Sequence, residues 1–140
     1  MTIASFDDLL RSAREQDAPQ RLLFVFTTAG VPDDATQDQH ARFKAGEGGT
    51  LTPLMCVDKT PDELVSFDAL RDESRLLGTA WDIVFVAAMA GIAGGPGSAA
   101  REPTSLEAEA PLQRMVEAIR SGRIGGFIPF DAAGLPVQFD

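Results

Sequence analysis

Two runs of consecutive apolar residues constrain the fold of this chain more than any other feature. The first is Arg21-Leu-Leu-Phe-Val-Phe26, and the second, Ile83-Val-Phe-Val86, lies within a longer stretch from Trp81 to Ala90. Neither run alternates apolar with polar residues, and the second is β-branched and aromatic, a pattern typical of strands buried on both faces of a sheet. The sequence therefore predicts a sheet with helices packed against it.

Three other segments carry apolar residues at helical spacing and have recognisable start or stop signals. Each begins at a hydroxyl or proline residue suited to a helix N-terminus, and two of them end at a glycine. The predicted helices are Ser5 to Gln16, Thr60 to Gly78, and a segment that starts near Pro111 or as early as Thr104 and ends at Gly122.

Strands that alternate with helices predict a single α/β domain over residues 1–140. The run from Leu51 to Val57 contains Pro53, which predicts either a strand near a sheet edge or one whose regular pairing begins after the proline. Near the C-terminus, Asp131-Ala-Ala-Gly134 is suited to the turn of a hairpin between two short apolar segments. The expected fold is a mixed, mostly parallel sheet of about four to five strands, with flanking helices and a C-terminal β-hairpin.

Charge and cysteine content limit the partners and the compartment. The net charge is −9, from 21 acidic against 12 basic residues, and no basic cluster occurs, so we expect neither nucleic acid nor a membrane as a partner. The single cysteine excludes an intrachain disulfide, and the N-terminal residues lack a signal-peptide pattern. A cytoplasmic location is the expectation.

A glycine-rich segment after the Trp81 to Ala90 run is the first candidate site. In a parallel sheet, residues that follow the strands gather at one rim, where successive glycine N–H groups bind anions. Its spacing matches neither the P-loop nor the dinucleotide motif, so we favour a plain surface loop, with a site for a small anionic ligand such as a phosphate or nucleotide as the alternative. The ligand-binding candidates are Thr27, Thr28, Asp58, Lys59, Gly91, Gly94, Gly95, Gly97 and Arg101.

Cys56 is the candidate catalytic residue, because it precedes a predicted helix N-terminus and has Lys59 nearby, a setting that lowers a thiol pKa. Its apolar neighbours indicate the alternative of an inert buried thiol. His40, the only histidine, stands among acidic residues, but one histidine without a second ligand motif predicts a solvated polar segment rather than a metal site. We expect no metal and no cofactor.

Several segments together resemble a group of short uncharacterised proteobacterial proteins. They are Arg21-Leu-Leu-Phe-Val-Phe26, Pro53-Leu-Met-Cys-Val-Asp-Lys-Thr-Pro61, Ala110-Pro-Leu-Gln-Arg-Met-Val-Glu-Ala-Ile-Arg120 and Gly125-Gly-Phe-Ile-Pro-Phe-Asp131. Some members of the group carry the label of a ribonucleotide reductase alpha subunit. That enzyme needs several cysteines and a far larger barrel, so the resemblance implies a family without a known activity and transfers no catalytic residue.

Three functions are consistent with these features. The one we favour is a non-catalytic interaction or accessory protein that forms a homo-oligomer through a sheet edge or through the C-terminal hairpin with Phe127, Phe130 and Phe139. The second is a small-ligand or phosphate-binding domain that uses the Gly91 to Gly97 loop. The third is an enzyme with Cys56 as the nucleophile.

Overall fold

The structure, a computed structural model, describes residues 5–15, 19–30, 37, 50–76, 80–93, 96–97 and 99–137. Three helices and four strands are named in the described residues. In chain order they are α1 (Phe6–Arg14), β1 (Arg21–Gly30), β2 (Thr50–Lys59), α2 (Phe67–Leu76), β3 (Ile83–Met89), α3 (Ser105–Arg120) and β4 (Ile128–Asp131).

The four strands form one sheet in the order β2-β1-β3-β4, and every neighbouring pair is antiparallel. The prediction of a mostly parallel sheet is therefore wrong. β2 and β3, which α2 connects, do run in the same direction, as in a parallel crossover. They are not neighbours, however, because β1 lies between them and pairs with both in the opposite direction.

β1 is buried on both faces of the sheet, which confirms the prediction from its uninterrupted apolar run. Phe24 and Phe26 point into a cluster beneath α1 and α2, whereas Leu23 and Val25 point into a second cluster beneath α3. All four side chains are at most 4% exposed. The described residues thus form three layers, with two helices on one face of the sheet and one helix on the other.

The N-termini of α1 and α3 follow the sequence signals. The Ser5 hydroxyl accepts a hydrogen bond from the backbone N–H of Asp8, as an N-cap does. At α3, Thr104 is the N-cap and forms a reciprocal capping box with Glu107, so the helix begins at the earlier of the two predicted positions. Gly122, with φ +80°, follows the helix as the C-terminal stop.

α2 begins later than predicted. The Thr60-Glu63 capping box forms, with hydrogen bonds of 3.0 and 3.3 Å in its two directions, but it closes only one turn. Leu64 is then buried in the core, and a second start follows, where the Ser66 hydroxyl accepts from the N–H of Ala69. The regular helix then extends from Phe67 to Leu76.

The predicted C-terminal hairpin is present only in its first half within the described residues. β4 pairs with β3, and a turn stabilised by the Asp131 carboxylate reverses the chain. Gly134 in this turn has φ +82°, and its carbonyl accepts a hydrogen bond from Phe6 N–H. A single bridge, Phe130 with Pro136, represents the returning segment, and residues 138–140 lie outside the described residues.

Candidate functional site

The rim predicted to gather the ligand-binding residues does not form, because its premise of parallel strands is wrong. β1 runs against β2 and β3, so Thr27 and Thr28 lie at the end of the sheet opposite to Asp58, Lys59 and the residues after β3. Thr27 is fully buried, and its hydroxyl donates to the Ile83 carbonyl at 2.9 Å, while Thr28 is half-buried. The structure therefore brings together only part of the predicted set.

The part that does come together is a polar cluster at the carboxyl end of β2. Arg21 Nη1 lies 2.6 Å from Asp58 Oδ2 and 3.9 Å from Glu63 Oε1, and its Nε donates to the Pro103 carbonyl at 2.7 Å. The Ser105 hydroxyl donates to the other Asp58 oxygen at 3.0 Å. The Arg21 and Asp58 side chains are only 11% and 17% exposed, so this pair is substantially shielded from water.

These contacts tie four segments of the chain to one another. Arg21 is the first residue of β1, Asp58 is near the end of β2, Glu63 is in the turn after β2, and Ser105 is the first residue of α3. A hydrogen bond from the backbone N–H of Thr60 lowers the pKa of Glu63, which keeps that carboxylate ionised. The cluster holds the N-terminus of α3 against the sheet.

Lys59 and Arg101, two predicted ligand-binding residues at this end of the sheet, are paired with carboxylates. Lys59 Nζ lies 2.7 Å from Glu73, and Arg101 binds Glu107 through two hydrogen bonds of 2.7 and 2.8 Å. The hydrogen bonds from Arg101, and next the backbone N–H of Thr104, lower the pKa of Glu107 to about 2. The charges of these two predicted residues are therefore neutralised within the chain.

The glycine loop offers less to an anion than its sequence predicted. Reciprocal backbone hydrogen bonds of 2.8 Å between Ile92 and Arg101 close the loop at its base. Gly91 is half-buried, and Gly97, with φ +80°, is exposed in a turn. Gly94 and Gly95 lie outside the described residues.

Cys56 lies on the α3 face of β2 with an exposed side chain. Partial burial raises the pKa of its thiol, and the nearby carboxylate of Asp58 raises it further. A thiol with a raised pKa is mostly protonated at neutral pH, and protonated thiols are poor nucleophiles. This environment favours the alternative of an unreactive thiol, although the side chain is exposed rather than buried.

Within the part of the chain that the structure describes, no group of three or more histidine, cysteine, aspartate and glutamate side chains is placed to hold a metal ion. His40 and its acidic neighbours in sequence lie outside that part. No described helix is long and apolar enough to cross a membrane.

The two edges of the sheet differ in what covers them. At β4, the returning chain hydrogen-bonds back, since Val137 N–H donates to Pro129 and Asp131 N–H donates to Leu135. At β2, no described segment pairs with the outer side of the strand. We call this outer side, from Leu54 to Lys59, the β2 edge. It includes Leu54, an apolar residue that is 38% exposed.

Sequence reasoning missed Arg21 and Ser105, and it did not single out Leu54. The only signal for Arg21 was a lone cation that opens an otherwise apolar strand, because a buried charge requires a partner of opposite sign. Asp58, similarly placed at the end of another apolar run, was that partner. Nothing local in the sequence links the two residues.

No protein family, curated protein or solved structure matches this chain. The resemblance to the group of short proteobacterial proteins therefore stays a prediction.

Proposed function

We propose that this protein is a non-catalytic interaction or accessory protein that forms a homodimer by antiparallel pairing of the β2 edge with the same edge of a second copy. The observation that carries the proposal is the contrast between the two sheet edges. The β4 edge is occupied by the chain's own return, whereas the ten-residue β2 has no described partner on its outer side. Unpaired strand edges of this length are templates for pairing with another chain.

The hairpin is a weaker candidate for the contact surface than the β2 edge. Phe130, one of the three aromatic residues expected to form it, is fully buried in the protein's own core. Phe127 packs against the cluster beneath α3, and Phe139 lies outside the described residues. Aromatic side chains already used in the core are not free to bury area between subunits.

The side chains of the β2 edge suit a contact between identical strands. A two-fold axis places the same patch against itself, so like charges near the axis are unfavourable. The segment from Leu54 to Val57 carries no charge, and both Leu54 and Cys56 are exposed. Lys59 and Asp58, at the end of the segment, are paired within the subunit with Glu73 and Arg21.

The β2 edge also has two features that limit pairing. Pro53 lacks an N–H group, and the ladder with β1 changes register between Phe26 and Thr27, which leaves Leu54 as the extra residue of a bulge. Both features confine a regular ladder to the second half of the strand, from Met55 to Lys59. We therefore expect a short two-fold ladder rather than open-ended assembly.

Cysteine chemistry fits the same proposal. The protein would act in the reducing cytoplasm, where a single exposed thiol persists without forming a disulfide. The raised pKa of Cys56 lowers its reactivity there. An exposed thiol at a dimer contact is thus compatible with function in that compartment.

Sedimentation equilibrium with a matched pair of variants tests the proposal. The wild-type chain should sediment with about twice its 14.9 kDa mass, and Cys56→Lys should sediment as a monomer because two ammonium groups would meet at a two-fold axis near this residue. Leu135→Lys, at the opposite edge and 52% exposed, is the control and should remain dimeric. A monomeric wild type at about 100 μM would refute the proposal, as would a Cys56→Lys variant that stays dimeric.

A further inference from the structure

The two faces of the sheet are covered unequally. Two helices, α1 and α2, pack on one face, while α3 alone packs on the other, mainly over β1 and β2. Four strands span roughly 19 Å, and one helix with its side chains is roughly 10–12 Å wide. The half of this face nearer to β4 is therefore not covered by any helix in the described residues.

A groove of about 750 Å³ lies along this uncovered side of α3. Leu23 and Ala87 of the sheet, Met115 of α3 and Phe127 before β4 contribute apolar side chains to it. The groove is more open than enclosed. An open, partly apolar surface beside a helix suits a segment of polypeptide better than a small molecule, which usually requires enclosure on most sides.

The groove is also lined by arginine side chains, and we call it the arginine groove. Arg114 and Arg123 line it, and neither guanidinium has a hydrogen-bond or ion-pair partner among the described residues. Glu117, the acidic residue in the lining, is paired with Arg120 at 2.6 Å. Two uncompensated cations beside an apolar groove are notable in a chain of net charge −9.

From this charge pattern we infer that the arginine groove binds an acidic peptide segment of a partner protein, with a large apolar side chain held between two carboxylates. Arg114 lies on α3 and Arg123 follows the end of that helix, so the two guanidinium groups reach the groove from different segments. Two cations at one groove call for two carboxylates on one bound peptide. The guanidinium groups bind them in the bidentate manner typical of arginine.

This site is independent of the homodimer. The β2 edge lies at one side of the sheet, whereas the arginine groove lies toward β3 and the segment before β4. A single subunit contains the whole groove, so peptide binding does not require dimerisation. Loss of either property would leave the other unchanged.

A library of random twelve-residue peptides displayed on phage, panned against the full chain, tests the inference. We expect the enriched peptides to carry at least two carboxylates around a leucine or aromatic residue. A synthetic peptide of the enriched sequence should bind at least about tenfold more weakly to the double variant Arg114→Glu/Arg123→Glu, because attraction becomes repulsion. Arg75→Glu, which reverses another arginine that has no partner among the described residues, is the matched control and should bind as the wild type does.

Several results would overturn the inference. No enriched sequence, enrichment of basic or purely apolar peptides, or binding to Arg114→Glu/Arg123→Glu within twofold of wild type would each do so. Displacement of the peptide by decanoate but not by an excess of unlabelled peptide would point to a small amphiphile instead of a protein partner. Amide chemical-shift changes on peptide addition should fall around Ala110, Ala118 and Phe127, and changes confined to β2 would contradict the assigned site.

Discussion

Removal of the Asp58 charge should destabilise the fold. The Arg21 guanidinium is largely shielded from water, and without Asp58 it would lose its main partner of opposite charge. In Asp58→Asn the shape is retained, but the 2.6 Å ion pair is lost and the Ser105 hydroxyl loses a charged acceptor. Breaking a fully buried pair costs roughly 3–5 kcal/mol. Here the cost should be lower, because the Pro103 carbonyl and the more distant Glu63 remain near the guanidinium.

We expect Asp58→Asn to lower the free energy of unfolding by about 2–3 kcal/mol, which for a domain of this size is a fall in Tm of roughly 6–15 °C. Urea denaturation at a fixed protein concentration measures the change. Glu117→Gln breaks the exposed pair with Arg120, in which both side chains are about 60% exposed, and should cost less than about 0.5 kcal/mol. If Asp58→Asn were as stable as this control, the cluster would not fasten α3 to the sheet.

Three further results follow from individual positions. Gly134→Ala should lower the free energy of unfolding, measured by urea denaturation, by about 1–3 kcal/mol. The reason is that this position has φ +82° and an added Cβ would lie 3.0 Å from the Phe67 ring. Gly125→Ala, where an added Cβ faces open space, should leave the free energy of unfolding nearly unchanged. The rate of Cys56 alkylation should rise with pH around a midpoint above the usual value of about 8.5, and a midpoint below that value would contradict the assigned environment. The Glu107 carboxyl should titrate near pH 2 by NMR. Because folding lowers its pKa, the stability that this carboxylate contributes should be lost as the pH falls from about 4.5 to about 2. A Glu107→Gln variant whose stability has the same pH dependence as the wild type would argue against this.

Helices and strands were predictable where the signal is local. The Ser5 cap forms as the sequence indicates, and α3 begins at Thr104, the earlier of its two predicted starts, through a capping box that the sequence analysis did not identify. The apolar run of β1 depends only on burial at both faces, which the structure confirms. The capping box at Thr60 also forms, but it closes only one turn, and the helix begins again at Phe67.

Strand direction was not predictable from the same signals. A helix between two strands predicts that they run parallel, and β2 and β3 do. The sequence cannot show that β1 is inserted between them, since that arrangement depends on pairing partners far apart in the chain. The error then carried over to the site, because Thr27 and Asp58 would share one end of the sheet only if β1 and β2 were parallel.

The site residues were partly predictable for a related reason. Asp58, Lys59 and Arg101 were singled out as charges after strands, and they do lie at one polar end of the molecule. Their partners, among them Arg21 at 37 positions from Asp58, became visible only in three dimensions. Charges that look free for a ligand in the sequence are neutralised by the fold.

The central claim is that two copies of the chain meet at the β2 edge, and the single native cysteine allows a direct test. In an antiparallel strand pair whose two-fold axis lies between Met55 and Val57, the two Cys56 Cα atoms are within roughly 9 Å of each other. A short bis-maleimide, added at pH 8 to the wild-type protein at the concentration of the sedimentation experiment, should therefore convert most of it to a covalent dimer. The same chain unfolded in urea, with the same cysteine at the same concentration, should cross-link much more slowly. Absence of a covalent dimer, or equal cross-linking of the unfolded chain, would contradict pairing at this edge.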